Sequence, residues 1–259
     1  MTTVFLSAGH GGSDPGAVAY GLKEKDINLN ALLACKDELE RHGLKVVTSR
    51  TRDENDPVAE EVREANASGA SLAVSFHANA GKGHGFEGYY YHTNANAKRL
   101  VEIATRQIAA LGQEAHGNPV KSGDHLYFLR NTKMAAVLFE SFFVDSDDRF
   151  IGDTVAEQRA FGVAYAKSIL EYLGIKYNGS SNGNTAPSKP SKPSSSSTSY
   201  YPKFNNTSLV DGLKSIHVDS SMSNRKKIAA ANGISNYEGT TSQNEKLLSL
   251  ARQGKLKKA

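Results

Sequence analysis

The chain has 259 residues, 39% of them hydrophobic and 22% charged, with a formal net charge of +4 at pH 7. That length supports one domain of ordinary size plus a smaller unit, and no apolar run approaches the roughly 20 residues that span a bilayer, so no membrane partner is expected. The single cysteine, Cys35, excludes an intramolecular disulfide and a cysteine-rich metal knuckle; a metal site would have to use His, Asp and Glu.

The N-terminal Met1-Thr2-Thr3-Val4-Phe5-Leu6 has no basic segment, and its apolar stretch stops at Gly9. That is too short for a secretory signal, so the expectation is synthesis in the cytoplasm and action after release. Strand and helix signals then alternate. Residues 3–8 are a β-rich run. Residues 26–42 place Ile27, Leu29, Leu32, Leu33 and Leu39 at helical spacing and end before Gly43. Residues 45–49 predict a strand, 57–67 a polar helix, 71–77 a strand, 85–92 an alternating strand and 96–111 a helix. Residues 125–130 and 135–143 predict two further strands, the second almost wholly apolar and therefore central. Residues 155–173 close the domain as a helix. The alternation predicts an α/β fold, a mostly parallel twisted sheet with helices on both faces.

Residues 178–199 read NGSSNGNTAPSKPSKPSSSSTS, a composition that cannot bury a core, and predict a flexible linker with a reach of about 70 Å. Residues 200–259 carry three short helical signals, over 208–216, 223–231 and 242–253, and predict a small helical domain, marginal alone and a candidate for homo-oligomerisation. The predicted division is therefore 1–177, 178–199 and 200–259. Charge follows it: residues 1–177 hold 19 Lys/Arg against 23 Asp/Glu, whereas 200–259 hold 10 against 4. An acidic body with a basic tail points to a polyanionic partner for the tail. The basic stretches are Asn224-Arg225-Lys226-Lys227 and Lys255-Leu256-Lys257-Lys258. The plainer reading is solvated helix ends. No helix-turn-helix or aromatic stacking platform is present, so no nucleic-acid partner is expected.

Four residues in 1–177 stand out for chemistry. His10 follows the first strand within Gly9-His10-Gly11-Gly12, and His77 ends another within Phe76-His77-Ala78-Asn79. In a parallel sheet both strand ends open onto the edge where active sites lie. Glu24, before the first long helix, can reach that edge. Glu140 lies late in an apolar strand, where an unpaired carboxylate is costly to bury. Singly, each has a bland explanation: a polar loop histidine, a helix-start acid favoured by the dipole, a carboxylate paired with a buried arginine. Together, two histidines and a glutamate form a zinc set with an open position, and a second carboxylate can take a proton from water. His10, Glu24 and His77 fit the ligands and Glu140 the base. His84, His92, His116 and His125 read as surface or substrate-contact residues, and Cys35 as an inert core thiol. Gly9-His10-Gly11-Gly12-Ser13-Asp14 misses the dinucleotide fingerprint at its third glycine.

At these residues the sequence resembles the zinc-dependent N-acetylmuramoyl-L-alanine amidases of bacterial autolysins and phage endolysins. The matching segments are Ala8-Gly9-His10-Gly11-Gly12, Asp14-Pro15-Gly16-Ala17, Glu24-Lys25-Asp26-Ile27-Asn28-Leu29, Arg63 with Ala65-Asn66, Ser75-Phe76-His77-Ala78-Asn79-Ala80, Gly85-Phe86-Glu87 and Leu138-Phe139-Glu140. They span almost all of residues 1–175. The resemblance implies Zn2+ on His10, Glu24 and His77, Glu140 as the catalytic carboxylate, and hydrolysis of the bond between muramic acid and L-alanine in peptidoglycan. The chain departs from the pattern after Glu140, at Ser141-Phe142-Phe143-Val144-Asp145, which bears on the peptide subsite. Residues 226–234 loosely resemble modules that follow amidase domains in endolysins, which implies an anionic wall polymer or glycan as ligand of 200–259. Together these imply an enzyme that acts on the wall at host lysis. Two alternatives stay open: a non-catalytic wall-binding protein, and a zinc amidohydrolase acting on a soluble peptide.

Overall fold

The structure is a computed structural model that describes residues 2–179, 200–206, 208–216, 218–220 and 222–258. The predicted linker, 178–199, lies outside the described residues apart from Asn178 and Gly179. The chain divides into two compact units, Met1–Gly183 and Asn184–Ala259.

The first unit is built on a six-stranded sheet in the order β4-β1-β5-β8-β6-β7. Its strands are β1 (Thr3–Ala8), β4 (Lys45–Thr48), β5 (Leu72–Asn79), β6 (Phe86–Tyr90), β7 (Ala115–Ser122) and β8 (Ala135–Phe143). The pairs β1–β4, β1–β5, β5–β8 and β6–β7 are parallel; only β6 against β8 is antiparallel. A small hairpin, β2 (Val18–Ala19) with β3 (Leu22–Lys23), precedes the first helix.

Period-2 alternation sends the strand side chains to two separate cores. Val4, Leu6, Val74, Phe76, Val137 and Phe139 face one side, with α1 (Glu24–Arg41), α3 (Ala95–Ala109) and α5 (Val155–Tyr172). Phe5, Ala73, Ala136 and Leu138 face the other, with α2 (Val58–Ala67) and α4 (Tyr127–Asn131). α1 buries Ile27, Ala31, Leu32, Cys35 and Leu39 on one stripe, and α5 starts with a capping box between Thr154 and Glu157.

One local expectation is corrected. Residues 125–130, expected as a strand, lie at the short helix α4, whose Phe128 and Leu129 fill the core under α2. The sixth strand is instead β7, a polar segment, AHGNPVKS, on the sheet edge. The polar helix expected over 57–67 is α2, which buries Glu61, Val62 and Ala65 on its inner face.

The second unit packs α6 (Leu209–Ser215), α7 (Met222–Ala231) and α8 (Thr241–Arg252) around Phe204, Leu213, Ile228, Leu247, Leu248 and Leu256. A bridge between Tyr200 and Lys257 joins the first described residue of this unit to its C-terminal segment. Arg225, expected in the exposed basic stretch, is fully buried: Nε donates to Ser220 O at 2.8 Å and Nη1 to Tyr237 OH at 3.2 Å. Its neighbours Lys226 and Lys227, and Lys255, Lys257 and Lys258, remain exposed.

Candidate metal centre

β1 brings the backbone to the upper sheet edge and then turns sharply. His10 lies in that turn at φ 67°, a strained setting for a residue with a side chain. Its Nδ1 lies 2.8 Å from Asp14 Oδ2, which orients the ring and leaves Nε2 facing Glu24 Oε1 at 3.2 Å. Glu24 opens α1 and is 5% exposed. Its Oε2 accepts the Ala17 N–H at 2.9 Å, and its Oε1 accepts the Ala78 N–H at 3.2 Å and lies 2.9 Å from His77 Nδ1. His77 projects from β5, its ring nearly perpendicular to that of His10 at a centroid separation of 5.2 Å.

Two glycines allow this convergence. A Cβ on Gly9 would sit 2.1 Å from His77 Cε1. A Cβ on Gly16, at φ 61°, would sit 2.6 Å from Glu24 Oε2 and 2.7 Å from His10 Cδ2. Any side chain at either position would fill the space the three donors need.

The electrostatics follow from the contacts. Burial by itself would raise Glu24, but its hydrogen bonds with His10 and His77 hold the carboxyl well below the usual range. The hydrogen bond to Glu24 pushes His10 up to about 9. Burial would lower His77, and the Glu24 hydrogen bond together with the Glu140 charge reverses that. One donor atom from each of His10, Glu24 and His77 lies within 4.8 Å of the others. Among the described residues no other group of His, Cys, Asp and Glu is compact enough to hold a metal ion. Two imidazoles and a carboxylate, one imidazole oriented by an outer carboxylate, fit zinc, and such an ion would displace the protons these groups otherwise share.

Glu140 stands beside this cluster. In the sheet it registers with His77 on β5 and with Glu87 on β6. Burial pushes its carboxyl up to about 7, and its Oε2 has no hydrogen-bond partner in the protein. The buried-arginine partner that a structural glutamate would want is therefore absent at that oxygen. Glu87, 3% exposed, is by contrast fully engaged: its carboxylate accepts from Asn79 Nδ2 at 3.0 Å, from Tyr89 OH at 2.6 Å and from Lys121 Nζ.

The structure thus brings together all four residues singled out from the sequence. His84, His92, His116 and His125 do not join them. His84 Nδ1 lies 3.2 Å from Asp148 and His92 Nδ1 lies 2.8 Å from Asp124, both on the surface. Arg50 was missed. It is 2% exposed, and its guanidinium donates to Ala8 O at 2.9 Å, to Lys25 O at 2.8 Å and to Arg52 O at 3.2 Å. One side chain thereby ties the strand end before His10 to the helical turn after Glu24. Asn28, one helical turn beyond Glu24, adds a bond from Nδ2 to Gly9 O at 3.0 Å. The signal for Asn28 was available, since it is a polar residue on the apolar stripe of α1. Nothing local marks Arg50.

The family described as N-acetylmuramoyl-L-alanine amidase matches residues 4–173. The endolysin of Bacillus phage SPP1 is 39% identical over 203 residues, 72% of this chain and 70% of that protein. The N-acetylmuramoyl-L-alanine amidase CwlM of Bacillus licheniformis is 36% identical over 149 residues, and the chain spans 58% of its length. Among solved structures, the catalytic domain of CwlV, an N-acetylmuramoyl-L-alanine amidase from Bacillus(Paenibacillus) polymyxa var.colistinus, superposes with a TM-score of 0.63 at 28% identity, over 68% of this chain and all of that domain. With a family match across two thirds of its length, the chain belongs to the N-acetylmuramoyl-L-alanine amidase family.

Proposed function

We propose that the chain is a peptidoglycan hydrolase that cleaves the amide between the lactyl group of N-acetylmuramic acid and the L-alanine of the stem peptide. The observation that carries this is the convergence of His10, Glu24 and His77 beside a carboxylate, Glu140, that has an oxygen without a partner. In this reading the three residues hold Zn2+, which when bound supplies a Lewis acid and makes water more acidic. Glu140 accepts the proton from the attacking water and returns it to the leaving amine nitrogen. Its enclosed setting suits both steps, because burial brings its proton affinity close to neutral pH. Asp14 keeps the His10 ring turned, and the Ala17 and Ala78 N–H groups fix the two oxygens of Glu24. These contacts hold His10 and Glu24 in place before substrate arrives.

The likeness to the SPP1 endolysin supports an endolysin role, released to the wall at host lysis. No helix among the described residues is long and apolar enough to cross a membrane. Residues 200–259 act in this reading as a wall-binding unit that uses exposed lysines to meet an anionic polymer or glycan. The test is mass spectrometry of purified peptidoglycan after digestion. New free L-alanine N-termini are expected; new reducing sugar ends without them would reject the amidase reading.

A further inference from the structure

Beside the metal centre, the β2–β3 hairpin carries an exposed aromatic ring. Tyr20 stands at its turn, 70% exposed and at φ 50°, with Val18 on the same hairpin 57% exposed. The backbone strain at Tyr20 buys no burial of its ring. Yet the ring is held. The guanidinium of Arg149 lies 4.0 Å from its centroid and 4.1 Å from that of Phe150, so the cation is stacked on both rings. Arg149 is itself anchored from the 3₁₀ turn Asp147–Ile151: Nη1 donates to Ser146 O at 3.1 Å and to Asp147 Oδ1 at 3.4 Å, and its side chain is 18% exposed. Two separate elements therefore order a side chain that the fold does not bury. Ordering an exposed side chain loses entropy without the return that burial gives.

The hairpin is also fixed relative to the metal centre. Glu24 N donates to Ala17 O at 2.9 Å, and Ala17 N donates to Glu24 Oε2 at 2.9 Å. Tyr20 precedes Glu24 by four residues, so their Cα atoms lie within about 15 Å of each other. A short stretch of glycan strand, longer than one disaccharide, covers that distance.

We propose that Tyr20, backed by Arg149 and Phe150, is a stacking subsite for a pyranose ring of the glycan strand. The inference rests on the amidase reading above for the nature of the substrate. Arg149 covers one face of the Tyr20 ring, and its Nη1 is already occupied by Ser146 and Asp147. Because Arg149 is 18% exposed and paired with Asp147 while Tyr20 is 70% exposed, what the subsite offers outward is mainly the other face of the Tyr20 ring. The stem peptide, rich in carboxylates, asks for charge; a pyranose presents an apolar C–H face that an aromatic face matches. The subsite sets how firmly the glycan is gripped and leaves the amide chemistry to the residues around Glu24.

The test compares the full-length wild type with Tyr20→Phe and Tyr20→Asn. Asparagine tolerates the left-handed backbone, so it removes the ring without straining the turn. Two measurements are made: steady-state hydrolysis of a tetrasaccharide carrying stem peptides, and calorimetric titration with the same tetrasaccharide lacking peptide. For Tyr20→Asn the expectation is a KM raised about fivefold with kcat and zinc content unchanged, and a matching loss of affinity for the peptide-free glycan. Tyr20→Phe should behave as wild type. The C-terminal unit is identical in all three proteins and contributes equally. Unchanged KM and glycan affinity in Tyr20→Asn would overturn the proposal, and so would a raised KM with unchanged affinity for the peptide-free glycan, since the contact would then be with the peptide. Loss of zinc or of kcat alone would make Tyr20 a strut of the hairpin and overturn it as well. If the wild type releases no L-alanine N-termini, the amidase reading fails by itself, and the titration still judges Tyr20.

Discussion

Glu140 sits directly beside His77 where β5 pairs with β8, and its Oε2 is the one carboxylate oxygen of the site that is enclosed without a hydrogen-bond partner. A carboxylate of that kind is expensive to keep unless it works on something that arrives. Glu140→Gln removes the proton acceptor while keeping nearly the same shape. The variant should fold, hold zinc and lose about 10²–10⁴ of the turnover rate. Zinc content and hydrolysis rate, measured on the same preparation, decide it; near wild-type turnover would reduce Glu140 to a structural residue.

His10, Glu24 and His77 should hold one zinc per catalytic unit. A strong chelator should abolish hydrolysis, and added zinc should restore it. His10→Ala and His77→Ala should each lose metal and activity together. Full activity in a protein shown by elemental analysis to be metal-free would remove the metal assignment.

Arg50 bonds the carbonyls on both sides of the site, Ala8 before His10 and Lys25 after Glu24. Lysine cannot place two donors in that fork, so Arg50→Lys should leave buried carbonyls unsatisfied. The expected loss of stability is about 2–4 kcal/mol in denaturant unfolding. Because the two carbonyls flank two ligands, zinc affinity should also fall by about 10–100-fold. Stability lost with zinc affinity intact would limit Arg50 to general packing.

Residues 1–177 contain every residue of the site, and the two units have separate cores. The fragment 1–177 should cleave soluble muropeptides near the full-length rate and attack intact walls much more weakly, because the tail raises local concentration. Residues 200–259 fused to a reporter should decorate cells without lysing them. If the exposed lysines carry this binding, added salt should weaken it, since such charges are screened over about 8–10 Å at physiological ionic strength. Binding that survives high salt would point to a shaped glycan pocket. Changing Lys255, Lys257 and Lys258 together to Glu should weaken binding but leave thermal unfolding nearly unchanged. Arg225→Ala should do the reverse, because Arg225 is fully buried between Ser220 and Tyr237.

Much of this was legible in residue order. The alternation of short apolar runs and helical periods yields the α/β layering, because period is set by the backbone and needs no partner. The apolar run around Glu140 marked a central strand, and the mismatch of an acid within it marked a site. His10 and His77 were placed at one edge because parallel strands share their ends. Where polarity hid an element, reading failed: β7 is an edge strand with Gly117 and Pro119, and its solvated face shows no alternation. α4 is a single turn and a half whose apolar residues mimic a strand.

What only the tertiary structure decided is pairing across long stretches of chain. Arg50 meets Ala8 across 42 positions and Lys25 across 25, and nothing in its own neighbourhood announces either carbonyl. Tyr20, before α1, and Arg149, before α5, meet across the chain because those two helices pack against each other. Arg225 looked like part of a basic surface because its neighbours are lysines, yet its place on α7 turns it inward while theirs turns them out. Residue type and period are local properties that the backbone imposes on every segment. Which buried donor finds which carbonyl depends on strand order and helix rotation, and those are fixed only when the two cores close around the sheet.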